Sequence, residues 1–114
     1  MQLNDAVQAA KAAVSFNADK PASATVLDTA DVRLVVFRLA PGQAVARHTS
    51  TSTVLLTVLS GCGTVSGTEA GEPVDRVAAP GDVIAYAPGE AHGMRADTEE
   101  LLLLATIAPR PGSR

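Results

Sequence analysis

The 114-residue sequence has no tryptophan, one tyrosine and two phenylalanines. Any core must therefore be built from Val, Leu, Ile and Ala, and base-stacking recognition of nucleic acid has no platform. A single cysteine, Cys62, excludes an intrachain disulfide and a multi-cysteine metal knuckle, which accords with a reducing, cytoplasmic setting. Nine Lys and Arg stand against twelve Asp and Glu, a net charge of −3, without a basic cluster to follow a phosphate backbone. Nucleic acid is thus not an expected partner. Nor is a membrane: no apolar run approaches the about 18 residues of a spanning helix, and Lys11 interrupts the most apolar stretch of the N-terminal region. Histidine is equally scarce, at two residues, His48 and His92, so any chemistry that needs three imidazoles is excluded.

What is present is short apolar stretches in a chain of single-domain size. Asn4 and Asp5 are helix-starting residues, and Val7, Ala10 and Val14 follow at spacings of three and four, which predicts an amphipathic helix over 5–14. From Ser23 the pattern changes to Val-, Leu- and Thr-rich segments separated by Pro41-Gly42, Gly61-Cys62-Gly63, Gly71, Pro80-Gly81 and Pro88-Gly89. Strands are expected at 24–28, 32–39, 44–49, 53–59, 63–67, 74–78, 83–86, 92–96 and 101–107, the rhythm of an all-β sandwich or barrel. The chain divides into a helix and lead-in (1–22), a barrel (23–108) and a flexible tail (109–114) that lacks apolar period. Leu101 to Ile107 is apolar on both alternating faces, and a small barrel has one inside. Its surplus face points to subunit contact in a homodimer.

Two stretches resemble the paired motifs of the cupin superfamily. Gly42, His48 and Gly61 keep the glycines and the first histidine of the first motif, while Ser50 and Val54 stand where a second His and a Glu are usual. Gly81 through Pro88-Gly89 to His92 matches the second motif, with the Pro displaced by one and Ala96 in the place of Asn. The resemblance implies a small, single-domain, RmlC-like protein: a double-stranded β-helix, or jelly-roll barrel, with one short helix outside it. It also implies a lumen where such proteins hold Fe, Mn, Zn, Ni or Cu on three His and one Glu.

The residues themselves place the site in that lumen. Strand alternation from His48 puts Ser50, Ser52, Val54, Leu56 and Val58 on one face, and His92 shares a face with Met94. The expected lumen set is His48, Ser50, Val54, Leu56, Tyr86, His92 and Met94, with His48 and His92 as the candidate ligands for a divalent transition metal. Three functions stay open: small-molecule binding with no assigned activity, a metal-dependent oxygenase or isomerase with a two-His ligand set, and a metal-free acid–base isomerase using Tyr86 as proton partner. Whether the protein is an enzyme stays open with them. Arg38 and Arg47 are read as solvated, Cys62 as an incidental thiol, and Asp82 as a residue that satisfies turn amides.

Overall fold

The computed structural model describes residues 1–13 and 20–111. Among these are one helix, α1 (Ala6–Ala12), and nine strands: β1 (Ala22–Asp28), β2 (Arg33–Leu39), β3 (Ala44–His48), β4 (Thr53–Ser60), β5 (Gly63–Glu69), β6 (Glu72–Ala78), β7 (Val83–Tyr86), β8 (His92–Ala96) and β9 (Leu101–Ala108). Each expected strand is present within a few residues of its predicted bounds. They form a five-stranded sheet, β1-β2-β9-β4-β7, and a four-stranded sheet, β3-β8-β5-β6. Every pairing is antiparallel, and partners distant in sequence lie side by side, as with β2 and β9 or β3 and β8. This is the expected all-β jelly-roll, or double-stranded β-helix.

Period-two burial explains the layering. In β4, Val54, Leu56 and Val58 are buried between the sheets while Thr53, Leu55 and Thr57 are not. They join Leu39, Val65, Leu101 and Leu103 in the main core. The turn from β4 to β5 requires glycine: Gly61 has φ +78, and the Glu100 carbonyl occupies the place a Cβ would take. Asp82 accepts the Ala79 amide at 2.8 Å, the turn role expected of it.

A second apolar cluster lies on the outer face of the five-stranded sheet, where Ala10 of α1 packs with Val36 and Leu102. The helix begins as predicted, with Asp5 accepting the Gln8 amide at 3.1 Å. Its C-terminal turn is held by Arg38, which donates to the Lys11 carbonyl at 2.8 Å and pairs with Glu100 at 3.0 Å. Val14, expected to close the helix, lies outside the described residues. This cluster corrects the reading of β9. Leu101 and Leu103 face the main core while Leu102 is buried and Leu104 half-buried beside α1, so the surplus apolar face is covered in part from within the chain.

Residues 109–111, within the segment expected as a tail, make side-chain contacts. Ser52 Oγ donates to the Pro109 carbonyl at 2.6 Å, and Arg110 pairs with Asp28 at 2.6 Å. No apolar period announces these contacts; residues 112–114 lie outside the described residues. Among the described residues no helix is long and apolar enough to cross a membrane.

Candidate functional site

The last residue of β3 and the first of β8 are His48 and His92, and strand register sets them opposite each other. The loops that follow and precede them are joined by Gly89, whose amide donates to the Ser50 carbonyl at 2.7 Å. The ring centroids are 4.2 Å apart with planes inclined at 60°. Both imidazoles are held by the same local device. Nδ1 of His48 lies 2.9 Å from the Ala46 carbonyl, and Nδ1 of His92 lies 3.1 Å from the Glu90 carbonyl. A carbonyl oxygen only accepts, so each Nδ1 carries the hydrogen, and in the neutral ring each Nε2 keeps a free lone pair. His48 is exposed and His92 buried. The His92 pKa lies below the ordinary 6.5, first because burial disfavours the imidazolium and then because His48 is adjacent.

The rings border a cavity of about 410 Å³ between the sheets. Six of the expected lumen residues line it: His48, Ser50, Val54, Leu56, His92 and Met94. The wall is completed by residues the sequence reading did not single out, Phe37, Val45, Ala105, Ile107 and Pro111, with Thr49 and Thr51 at the rim. Ala105 and Ile107 follow from alternation along β9. Val45 does not, because the β3–β8 register shifts between Val45 and His48 and inverts the parity. No charged side chain is among the described residues that line the cavity.

Tyr86 falls outside that lining. Its ring stacks on His92, centroids 4.8 Å apart, but its hydroxyl donates to the Ser66 carbonyl at 2.9 Å, away from the cavity. The room for this comes from Gly67, where a Cβ would sit 2.9 Å from the Tyr86 ring. Burial pushes the phenol up to about 12, with the negative Glu90 adding to the effect. Glu90 is directed away as well. Its carboxylate accepts from the Thr68 hydroxyl at 2.7 Å, the Ala87 amide at 3.1 Å and the Thr68 amide at 3.1 Å. These bonds hold its pKa below the usual carboxylate value, chiefly through the Thr68 hydroxyl.

Arg47 donates to the Gly67 carbonyl at 3.2 Å, and neither it nor Arg38 borders the cavity. Cys62 is half-buried in the β4–β5 turn, and its thiol pKa is raised, first by hydrogen bonding to Glu99, which is the reverse of an activated nucleophile. Among the described residues no group of three or more His, Cys, Asp or Glu comes together. The donor set at the cavity is two imidazoles. A catalytic zinc site takes three protein ligands and a non-haem iron site two His and a carboxylate, so these residues do not fit a firmly held metal of either kind.

The fold recurs in solved structures. The chain superposes on TT1209 from Thermus thermophilus with a TM-score of 0.83 and 27% identity, covering 97% of this chain and 100% of that one. An RmlC-like cupin protein from Desulfovibrio desulfuricans gives 0.76 and 25%, covering 96% and 97%. Oxalate decarboxylase from Lactobacillus farciminis, solved as a formate complex, gives 0.76 at 17% identity, covering 91% of this chain and 32% of that one, a likeness of fold alone. No curated protein matches the sequence. The model of the cupin domain family matches residues 35–107, which span both histidines and most of both sheets, and the protein belongs to the cupin family.

Proposed function

We propose that this protein binds a small molecule between its sheets, with an apolar body against Val54, Leu56 and Met94 and a polar edge at His48 and His92. One observation carries the reading: a cavity of about 410 Å³, within the usual range for ligand sites, has apolar walls and two convergent imidazoles at one side. A cytoplasmic setting goes with it, supported by the lone, half-buried thiol of Cys62. The test is a thermal-shift screen of small apolar and amphipathic compounds on untagged protein in chelator, beside Ala105→Leu, which fills the cavity, and His48→Ala. Compounds that raise the Tm of the parent are expected to lose that effect in Ala105→Leu and to weaken in His48→Ala. Equal shifts in parent and Ala105→Leu, or no shift with any compound, overturn the proposal.

A weakly held metal, shared by the two Nε2 atoms and completed by water, is the second reading, favoured by the 4.2 Å approach of the rings. It corresponds to a metal-dependent oxygenase or isomerase with a reduced ligand set. Metal analysis of untagged protein separates the two: a stoichiometric transition metal supports the second, and a substoichiometric one with ligand binding intact supports the first. Acid–base isomerisation has less behind it. The Tyr86 hydroxyl is committed to Ser66, and no carboxylate among the described residues lines the cavity beside either histidine.

A further inference from the structure

The polar edge of the cavity is made of acceptors. Because both Nδ1 atoms are spent on the carbonyls of Ala46 and Glu90, what the two rings, with centroids 4.2 Å apart, offer a ligand is the lone pair of each Nε2. Neither Nε2 has a hydrogen-bond partner among the described residues. Yet no buried side-chain nitrogen or oxygen among those residues is left without one, so the Nε2 of buried His92 is open to the cavity. The remaining wall carries no cation to hold a carboxylate or phosphate and no anion to hold an amine, since the described lining residues are uncharged. Burying an unpaired charge against Val54, Leu56 and Ile107 is costly, whereas a neutral hydroxyl that donates to an imidazole satisfies both partners.

From this we infer that the ligand is a neutral molecule with an apolar body and two adjacent hydroxyl groups on one edge, which donate to Nε2 of His48 and Nε2 of His92. The inference rests on the small-molecule reading above and narrows it to a chemical class. Paired register supports the two-donor form. His48 and His92 are cross-strand partners, so their side chains leave the same face of the sheet as near neighbours, and the ring separation of 4.2 Å suits vicinal oxygens better than one isolated hydroxyl. The exposed ring of His48 and the buried ring of His92 then define an axis, with one hydroxyl at the rim, one inside, and the apolar body reaching toward Phe37 and Ile107.

A matched series of probes tests it: tert-butylcatechol, tert-butylphenol, tert-butylanisole and tert-butylbenzoate, each substituted para to a polar group. Binding is measured by calorimetry at pH 7.5 in EDTA under argon. The catechol is expected to bind about tenfold more tightly than the phenol, and the phenol about tenfold more tightly than the anisole, which keeps the shape but cannot donate. The benzoate should be no better than the anisole. In His48→Phe, with folding checked by circular dichroism, the catechol should lose its advantage over the phenol while the phenol still outbinds the anisole through His92. A tightest-binding benzoate, or catechol and anisole within twofold, overturns the donor inference and leaves the small-molecule reading standing. Catechol binding that vanishes in EDTA and returns with zinc overturns it in favour of the metal reading. If none of the four binds at millimolar concentration, the inference falls together with the reading it rests on.

Discussion

The two faces of the five-stranded sheet are both apolar, yet one is packed under a helix and the other borders a cavity. On the outer face, Val36 and Leu102 are met by Ala6, Ala9 and Ala10, small side chains that let α1 lie close to the strands. On the inner face, Leu101 and Leu103 pack tightly toward the β4–β5 turn, but toward the histidines the wall changes to Ala105, with Gly93 of the four-stranded sheet also lining the cavity, and space opens. The same strand, β9, serves both. The lesson is that apolar composition decides that a face will be covered, while the sizes of the facing residues decide whether the cover leaves room.

That contrast can be broken from either side. The largest effect is expected from Leu103→Ala, which removes a side chain with no exposure from the packed inner layer and should cost about 2–5 kcal/mol by denaturant titration. A loss under about 1 kcal/mol would mean that the inner layer is not close-packed. Next is Val54→Glu, which puts a carboxylate into the cavity beside the two histidines. Unpaired, it should cost roughly 1–3 kcal/mol, and the variant should melt below the parent in chelator. Adding Fe(II) or Mn(II) should restore the Tm, because two His and a carboxylate complete a set that holds iron. Ser50→His, which adds a third neutral imidazole instead, should respond less to these ions. Absence of a metal-induced shift in Val54→Glu would show that Val54 does not face the histidines.

Acid should act through His92. Its pKa in the folded protein lies below 6.5, so as pH falls the unfolded chain takes up the proton first. Stability that is complete above about 6.5 is therefore lost as pH drops from there toward the lower folded value. The carboxylates with lowered pKa, among them Glu90, Asp28, Glu69 and Asp97, respond only below their ordinary values of 4.5 or 3.8. The Tm should thus fall between pH 7 and pH 5 in the parent and stay flatter in His92→Gln; equal slopes would contradict this. The smallest effect belongs to the outer face. Arg38→Ala removes the clamp on Lys11 and the Glu100 pair, both partly exposed, and should cost at most about 1 kcal/mol. Its signature is faster hydrogen exchange in α1 without faster exchange in β9.

Most strand positions were legible because glycine and proline mark the turns and Val, Leu and Thr fill the intervals, a pattern written residue by residue along the chain. The histidine pair was legible for a related reason, since in both motifs an imidazole follows within a few residues of a glycine turn, His48 after Gly42 and His92 after Gly89. What alternation could not give is any relation that depends on a third element. Leu102 and Leu104 look like surplus surface until α1 is in place. Tyr86, a register partner of Val54, is expected to point its hydroxyl at the lumen, but the missing side chain at Gly67 lets it reach Ser66 on the opposite sheet. The irregular register near Val45 and the anchoring of Pro109 to Ser52 involve single local contacts that leave no periodic trace.

Pro111 borders the cavity, and the two residues before it are fixed by Ser52 and Asp28. Part of the cavity wall is therefore supplied from beyond the last strand, by a segment outside the ladder of β-sheet hydrogen bonds. Barrel walls are hard to remodel, because every inward side chain also packs a core and every backbone group pairs a neighbour. A substitution at Pro111 meets neither constraint, so the cavity can be reshaped there while folding is left to the strands. For the protein engineer, the same feature makes Pro111 the simplest place to begin a library.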